Sequence, residues 1–245
     1  MVFRNIKINF HKILTGYGFY ICVMFTTFLC FFTNIYEDYG NGNSYSVISS
    51  IMNFKRDFML NDTAFCSFEI MQKGAGSWLS LFIPIISAFA FVPLVCDEYE
   101  TKSVRFEIFR SSKREYFMAK FLSAGFCGGL AVMMGFALFV LIEFTLFPNI
   151  IEYETALRSM YEEELGYRFP DFARSGYAFL TAKKMGEMFL YGTFCAVPGI
   201  ILTSIMHNKY LVMCIPFFLK YGLNQTCVRI QSNAIKKLQI CIWDF

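Results

Sequence analysis

Continuous apolar stretches alternate with polar segments along the whole chain. Five stretches stand out, the last of them the shortest, at about 17–35, 78–96, 121–147, 188–206 and 210–223. A helix needs about 20 apolar residues to cross a hydrocarbon core of roughly 30 Å. Because the stretches are continuous rather than alternating, they predict membrane-spanning helices and not the strands of a barrel.

The N-terminal segment 1–15 is basic and precedes the first apolar stretch, as in a secretory signal. That stretch is longer than a signal core and no small-x-small cleavage site follows it, so we interpret it as a retained span. Within 1–15 the apolar residues recur at near-helical spacing between basic ones. The pattern predicts either a helix lying in the membrane interface or a plain basic anchor. The apolar positions are Val2, Phe3, Ile6, Phe10 and Ile13.

Composition and charge agree with a membrane protein in a cell membrane. Of the 245 residues, 56% are hydrophobic and only 17% are charged, compared with about 25% charged in soluble domains. Lysine and arginine are dense in the short segments before the first span and between the second and third. They are diluted by acidic residues in the long segments 36–77 and 148–187. By the positive-inside rule, this bias predicts a multi-pass protein with a cytoplasmic N-terminus. The basic residues are then topology signals and not a nucleic-acid surface.

Motifs that would indicate catalysis or nucleotide binding are missing from the sequence. It contains no G-x-x-x-x-G-K-[ST] phosphate loop, no G-x-S-x-G elbow and no H-E-x-x-H pair. The two histidines, His11 and His207, have no second ligand at metal spacing. We therefore expect the chain itself to be no enzyme and to hold no cofactor or metal. Cys66, Cys227 and Cys241 lie outside the predicted spans, where a pair of them could form a disulfide.

The charged segment 97–112 separates the second and third apolar stretches. Near its end, Ser112 and Glu115 have the spacing of a capping box, which predicts that a helix begins at Lys113. Residues 97–110 must then form a separate element.

Two interpretations of this element stay open. It is either a solvated loop near lipid phosphates, or a docking surface with apolar anchors rimmed by charge. The apolar residues between its charges favour docking, and these are Val104, Phe106, Ile108 and Phe109.

Several motifs in this region match a known family. Glu98 and Glu100 follow the second span, and a pattern R-x-S-x-x-x-Y-x-x-x-K enters the third through Arg110, Ser112, Tyr116 and Lys120. The stretch IMHNKYLVMCIPFFLKY is similar to a tight turn between two later spans. Together these features resemble the permease subunits of ABC-2-type transporters, and the resemblance covers most of the chain.

The resemblance implies an all-α helical bundle with an interface helix at the N-terminus and a cytoplasmic coupling helix. That helix would dock on a separate ATP-binding subunit, which would hold ATP and Mg²⁺. The chain would work as a homo- or heterodimer with a second permease, as the membrane subunit of an exporter. The 31 phenylalanines favour an apolar route for a peptide, a lipid or a hydrophobic drug, although phenylalanine is also common on lipid-facing surfaces. The residues assigned to coupling are Glu98, Glu100, Arg105, Phe106, Phe109 and Arg110.

Two departures from the family pattern matter. Lys102 stands where the family often has glycine, which puts the local turn in question. The family norm is six spans, and the tail 224–245 contains no sixth apolar window. The alternative is a stand-alone integral membrane protein without an ATPase, such as an immunity or lipid-binding factor.

Two further features point to packing or to a site. Small residues at helical spacing favour close helix contact in lipid, although glycine is also common in membrane helices by chance; they are Gly125, Gly128, Gly129 and Gly192. Glu143 lies inside a span, where an acid is a candidate site, but we favour a side chain that extends to the membrane edge.

The outer segments are expected to carry amphipathic helices. Those helices either cover the mouth of a transport path or act as ordinary packing caps. The apolar positions are Val47, Ile48, Ile51, Met52, Phe58 and Met59, then Ala156, Leu157, Met160, Tyr161 and Leu165.

Overall fold

The computed structural model describes residues 2–38, 42–110, 112–149, 152–154, 159, 177–206 and 208–243. This part of the chain is mostly helical, as predicted. The helices are α1 (Val2–Leu14), α2 (Tyr17–Phe31), α3 (Val47–Asn53), α4 (Arg56–Met59), α5 (Ser67–Gly74), α6 (Ser77–Phe89), α7 (Val92–Glu100), α8 (Ser103–Arg110), α9 (Lys113–Leu146), α10 (Tyr177–Ile205) and α11 (Lys209–Trp243). A two-stranded sheet is formed by β1 (Asn34–Asp38) and β2 (Asn43–Ser46), and a short 3₁₀ helix covers Thr63–Phe65.

Three helical stretches are long and apolar enough to cross a membrane, which supports a membrane protein. They are Trp78–Glu100, Lys113–Leu146 and Ala178–Ile205, and the bent pair formed by α1 and α2 makes a fourth if it counts as one span. The predicted number of five is therefore not confirmed. The predicted segment 210–223 belongs to the much longer α11, and its apolar run is interrupted by Lys220 and followed by polar residues.

The first apolar stretch ends as a helix earlier than predicted. Helix α2 stops at Phe31, and Ile35, which we expected in the span, lies in β1. Strand β1 pairs antiparallel with β2, with Tyr36 opposite Tyr45. The Tyr36 ring also packs against the Phe65 ring in a tilted arrangement, with ring centres 5.0 Å apart. Aromatic cross-strand and ring contacts of this kind stabilise a hairpin, and this one replaces the last turn of the expected helix.

The amphipathic helix expected after this hairpin is divided in two. The Ser46 hydroxyl accepts a hydrogen bond from the Ser49 N–H at 3.3 Å and so caps α3. The chain then becomes extended at Phe54, whose ring stacks on Phe58 with centres 4.9 Å apart. The second amphipathic prediction, at Ala156, Leu157, Met160, Tyr161 and Leu165, lies outside the described residues.

Helix α9 is the central element and packs against α1, α2, α6 and α10. Its crossing with α10 depends on glycine, as predicted. A methyl group on Gly129 would lie 2.2 Å from the Thr193 hydroxyl, and one on Gly192 would lie 3.0 Å from the Cα atom of Gly129. Gly128 also contacts a neighbouring helix, whereas a methyl group on Gly125 would have an ordinary contact at 3.6 Å. Close backbone approach at small residues therefore brings α9 and α10 together.

Candidate functional site

Helices α7 and α8 meet in a tight turn at the end of the span Trp78–Glu100. The Thr101 N–H donates to the Asp97 carbonyl at 2.9 Å, and the Lys102 N–H donates to the Tyr99 carbonyl at 3.1 Å. Lys102 has a φ of 57°, in the left-handed region that favours glycine. The turn that the missing glycine put in question is therefore formed with lysine.

Glu98 is the centre of a buried ion cluster at this turn. Its side chain is enclosed, and its carboxylate accepts hydrogen bonds from Lys120 of α9 and from Lys12 of α1, the latter at 3.4 Å. Lys120 is itself only 6% exposed. The same Lys12 ammonium donates to Glu107 of α8 at 3.1 Å. One carboxylate therefore joins α7 to α1 and α9, and Lys12 extends the connection to α8.

A second ion pair joins the same turn to α11. Lys209, the first residue of α11, donates to the Asp97 carboxylate and lies 3.5 Å from a carboxylate oxygen of Glu100. The hydrogen bond to Asp97 raises the pKa of Lys209 above its ordinary value, so the lysine carries its charge at neutral pH. We call Lys12, Asp97, Glu98, Glu100, Glu107, Lys120 and Lys209 the ion cluster.

The outer face of α8 presents bare aromatic side chains. Val104 is buried against the bundle, while Phe106 is 73% exposed and Phe109 is 90% exposed. Arg105 is also exposed beside them. The side chain of Arg110 lies outside the described part of the chain. Exposed phenylalanine next to an ion cluster is unlike an ordinary solvated loop and has the composition of a contact surface.

Helix α9 begins where the capping box predicted. The Ser112 hydroxyl accepts a hydrogen bond from the Glu115 N–H at 3.3 Å, and the helix starts at Lys113. This cap separates α8 from α9, so α8 is an element of its own. The prediction of a helix start at Lys113 is confirmed.

The residues predicted for coupling do not form one surface. Arg105, Phe106 and Phe109 face outward, whereas Glu98 and Glu100 are occupied by lysines of the same chain. Sequence reasoning placed Lys120 in a motif but missed its role as the counter-ion of Glu98. A signal was available, because a lysine within an apolar helix requires a polar partner. Nothing local in the sequence pointed to Lys12 or Lys209 as partners.

Glu143 lies at the opposite end of α9, and the expectation that it extends to the membrane edge is wrong. The side chain is fully buried, and neither carboxylate oxygen has a hydrogen-bond partner within the part of the chain that the structure describes. The segment before α6 covers this end, with the Ser67 N–H donating to the Pro148 carbonyl at 3.2 Å. This cover leaves the Glu143 side chain no open route to the surface.

A third polar group that the sequence analysis missed lies among the apolar helices. The Lys220 ammonium donates to the Ser80 carbonyl and, at 2.5 Å, to the Tyr191 hydroxyl. It forms no ion pair with any described side chain. Three helices, α6, α10 and α11, therefore meet at one lysine held by neutral acceptors.

The cysteines and possible metal ligands give no further site. Cys66 and Cys227 are both free thiols, and Cys241 has a side chain outside the described part. Burial raises the pKa of the Cys66 thiol to about 11. Over the described ranges, no three histidine, cysteine or acidic side chains lie close enough together to hold a metal ion.

Comparisons with known proteins add no identification. No protein-family model, curated protein or solved structure matches the chain. The features that bear on function are therefore the geometry of α8, the ion cluster and the membrane-length helices.

Proposed function

We propose that the chain is the membrane-spanning subunit of an ATP-driven ABC-2-type transporter, an exporter of a peptide, a lipid or a hydrophobic drug. It lies in the cell membrane with its N-terminus in the cytoplasm. A separate subunit binds ATP and Mg²⁺ and hydrolyses ATP, and a second permease, identical or homologous, completes the complex. The chain itself performs no catalysis.

The form of α8 carries this proposal. It is a helix of eight residues between the membrane-length stretches Trp78–Glu100 and Lys113–Leu146, as the resemblance to ABC-2 permeases implies for a coupling helix. Its inner side is fixed by the buried Val104 and by the ion pair between Glu107 and Lys12. Its outer side exposes Phe106 and Phe109. Exposed aromatic anchors rimmed by arginine are typical of the energetic centre of a protein interface.

The arrangement suggests how a partner would move the membrane helices. A subunit that grips Phe106, Phe109 and the flanking arginines would pull on α8 as a unit. The ion cluster connects α8 with the ends of α1, α9 and α11. Closure of two ATP-bound partner subunits would then shift these ends together and change the access of the path between spans.

Co-purification of the full chain tests the proposal. A transporter subunit should bring down a soluble nucleotide-binding protein in stoichiometric amount, with ATPase activity that depends on Mg²⁺. The double variant Phe106→Ala/Phe109→Ala should reduce the retained partner by at least about tenfold, because interface anchors of this kind each contribute upwards of about 2 kcal/mol. The matched control is Phe28→Ala/Phe32→Ala, which removes two exposed rings from the α2 side of the bundle.

Two results would reject the proposal. The first is that the chain, extracted from native membranes with detergent, purifies without a nucleotide-binding partner, as a stand-alone membrane protein would. The other is an equal loss of partner in both double variants, since the α8 surface would then have no special role.

A further inference from the structure

A cavity of about 440 Å³ lies between α1 and the junction of α8 with α9. This volume falls within the roughly 300–1,000 Å³ typical of ligand pockets. One wall is a face of α1 formed by residues one turn apart: Arg4, Asn5, Ile8, Asn9 and Lys12. The other wall contains Glu107 and Tyr116.

The side chains of this cavity are mostly hydrogen-bond donors. Arg4 is exposed and forms no ion pair with a described side chain. Asn5 and Asn9 lie between Arg4 and Lys12 on the same helix face and add two amide groups. Among the described residues of the walls, Glu107 supplies the one carboxylate, and Lys12 holds it at 3.1 Å. The cavity therefore has one uncommitted cation and an excess of donors.

Tyr116 is a second, independent feature of the cavity wall. The residue is only 3% exposed, and its hydroxyl has no hydrogen-bond partner in the described part of the chain. A buried hydroxyl is nearly always paired, with protein, water or a ligand. The Tyr116 side chain lines the cavity, and an anion that draws its enclosed hydroxyl toward the cavity would supply the acceptor.

We propose that this cavity binds a phosphate group, as the headgroup of an anionic membrane lipid or as a free phosphate. The Arg4 guanidinium can bind two phosphate oxygens at once. The Asn9 amide and the Tyr116 hydroxyl can donate to the same anion. Ile8, which is exposed on the same helix face, offers an apolar contact for the start of an acyl chain. Basic pockets beside membrane helices suit lipid headgroups.

The site is distinct from the α8 contact surface and does not depend on the transport proposal. Phe106 and Phe109 face away from the bundle, whereas the cavity lies between α8, α9 and α1. The Lys12–Glu107 ion pair borders both features, so phosphate binding would compete with Glu107 for Lys12.

Binding measurements on the full chain in nanodiscs test the site with two probes. In the first, the fraction of phosphatidylglycerol in a phosphatidylcholine nanodisc is varied and the bound lipid is counted by native mass spectrometry. In the second, inorganic phosphate is titrated calorimetrically into the protein in phosphatidylcholine alone. If phosphatidylglycerol binds and excess inorganic phosphate does not displace it, the ligand is the lipid. If inorganic phosphate binds in the calorimeter, the ligand is the free ion.

Three variants distinguish a built site from general surface charge. Arg4→Gln should weaken binding of the relevant probe about tenfold, as expected for losing charge-assisted hydrogen bonds. Tyr116→Phe, which removes only the hydroxyl, should weaken it several-fold. Lys7→Gln removes an equal charge from the same helix at a position outside the cavity and should change binding less than twofold.

The proposal is overturned if neither probe binds, or if Arg4→Gln and Lys7→Gln weaken binding equally. The proposal is also rejected if the single variants Tyr116→Phe and Arg4→Gln both bind the probe as tightly as the unmodified protein. Arg4 and Lys7 are exposed and Tyr116→Phe preserves the ring, so these variants should retain the fold.

Discussion

Replacing Lys120 by methionine keeps a long side chain but removes the ammonium group that faces Glu98. Both side chains are nearly enclosed, at 8% and 10% exposure. Removing one partner of such a buried pair typically costs about 3–5 kcal/mol, because the other charge is left unpaired. Lys12 remains 3.4 Å from Glu98, but its side chain is 42% exposed. Because Lys12 can still partly compensate the Glu98 charge, we expect Lys120→Met to lower the free energy of unfolding by about 3 kcal/mol, near the lower end of this range.

The assay is reversible unfolding in mixed micelles with increasing dodecyl sulfate, followed by circular dichroism. Lys12→Met is the matched control and should cost no more than about 1 kcal/mol, the usual range for an exposed ion pair. The double variant Glu98→Gln/Lys120→Met leaves no isolated charge and should recover most of the loss. Equal losses in Lys120→Met and Lys12→Met, or a double variant no more stable than Lys120→Met, would refute the buried pair.

Three further predictions test the helix crossing, the turn and the outer segment. Gly129→Ala would place a methyl group 2.5 Å from the Phe189 carbonyl and should cost about 1–3 kcal/mol of unfolding free energy. Gly125→Ala would make only an ordinary contact at 3.6 Å with the Thr193 side chain and should be neutral or slightly stabilising. Equal effects of the two substitutions would contradict the α9–α10 crossing. Lys102→Gly should stabilise the same protein by up to about 1 kcal/mol, because glycine accepts the left-handed conformation without strain; a clear loss would contradict that conformation. Variants that each keep one cysteine allow Cys66 and the exposed Cys227 to be compared at pH 7.5. Cys66 should react with a soluble maleimide more than about a hundredfold slower than Cys227, because its burial and raised pKa leave little accessible thiolate. Similar reaction rates would contradict the burial of Cys66.

The features that depend on neighbours in sequence were predictable. Ser112 and Glu115 lie within one turn, so the start of α9 could be located from the capping pattern alone. The continuous apolar runs likewise predicted the membrane-length helices. The end of the first span could not be located in this way, because Ile35 is apolar enough for either a span or a strand. The hairpin is favoured by contacts with residues far along the chain, such as the Tyr36 ring with the Phe65 ring and the Lys73 ammonium with the Ile35 carbonyl.

The ion cluster was not predictable, because its partners are far apart in sequence. Lys12 and Glu98 are separated by 86 positions, and Lys209 and Asp97 by 112. Acidic residues after a span are usually solvated, so their pattern does not distinguish a contact with a partner from a contact within the chain. Glu143 illustrates the same limit, since its burial depends on which outer segment covers the end of α9.

The ion cluster also explains how so short a helix can have a defined position. An isolated helix of eight residues is not stable in water, so the contacts of α8 with the bundle must hold it. Those contacts include the buried Val104, the ion pair of Glu107 with Lys12, and the Ser103 hydroxyl, which donates to the Glu98 carbonyl at 3.2 Å. A force on Phe106 or Phe109 would therefore be transmitted through both the buried Val104 and the ion pair between Glu107 and Lys12. Because Lys12 lies near the end of α1, and α1 and α2 meet at a bend of 60°, displacement of α8 would change this bend. Helix α2 would then respond to α8 in part through the ion pair between Glu107 and Lys12.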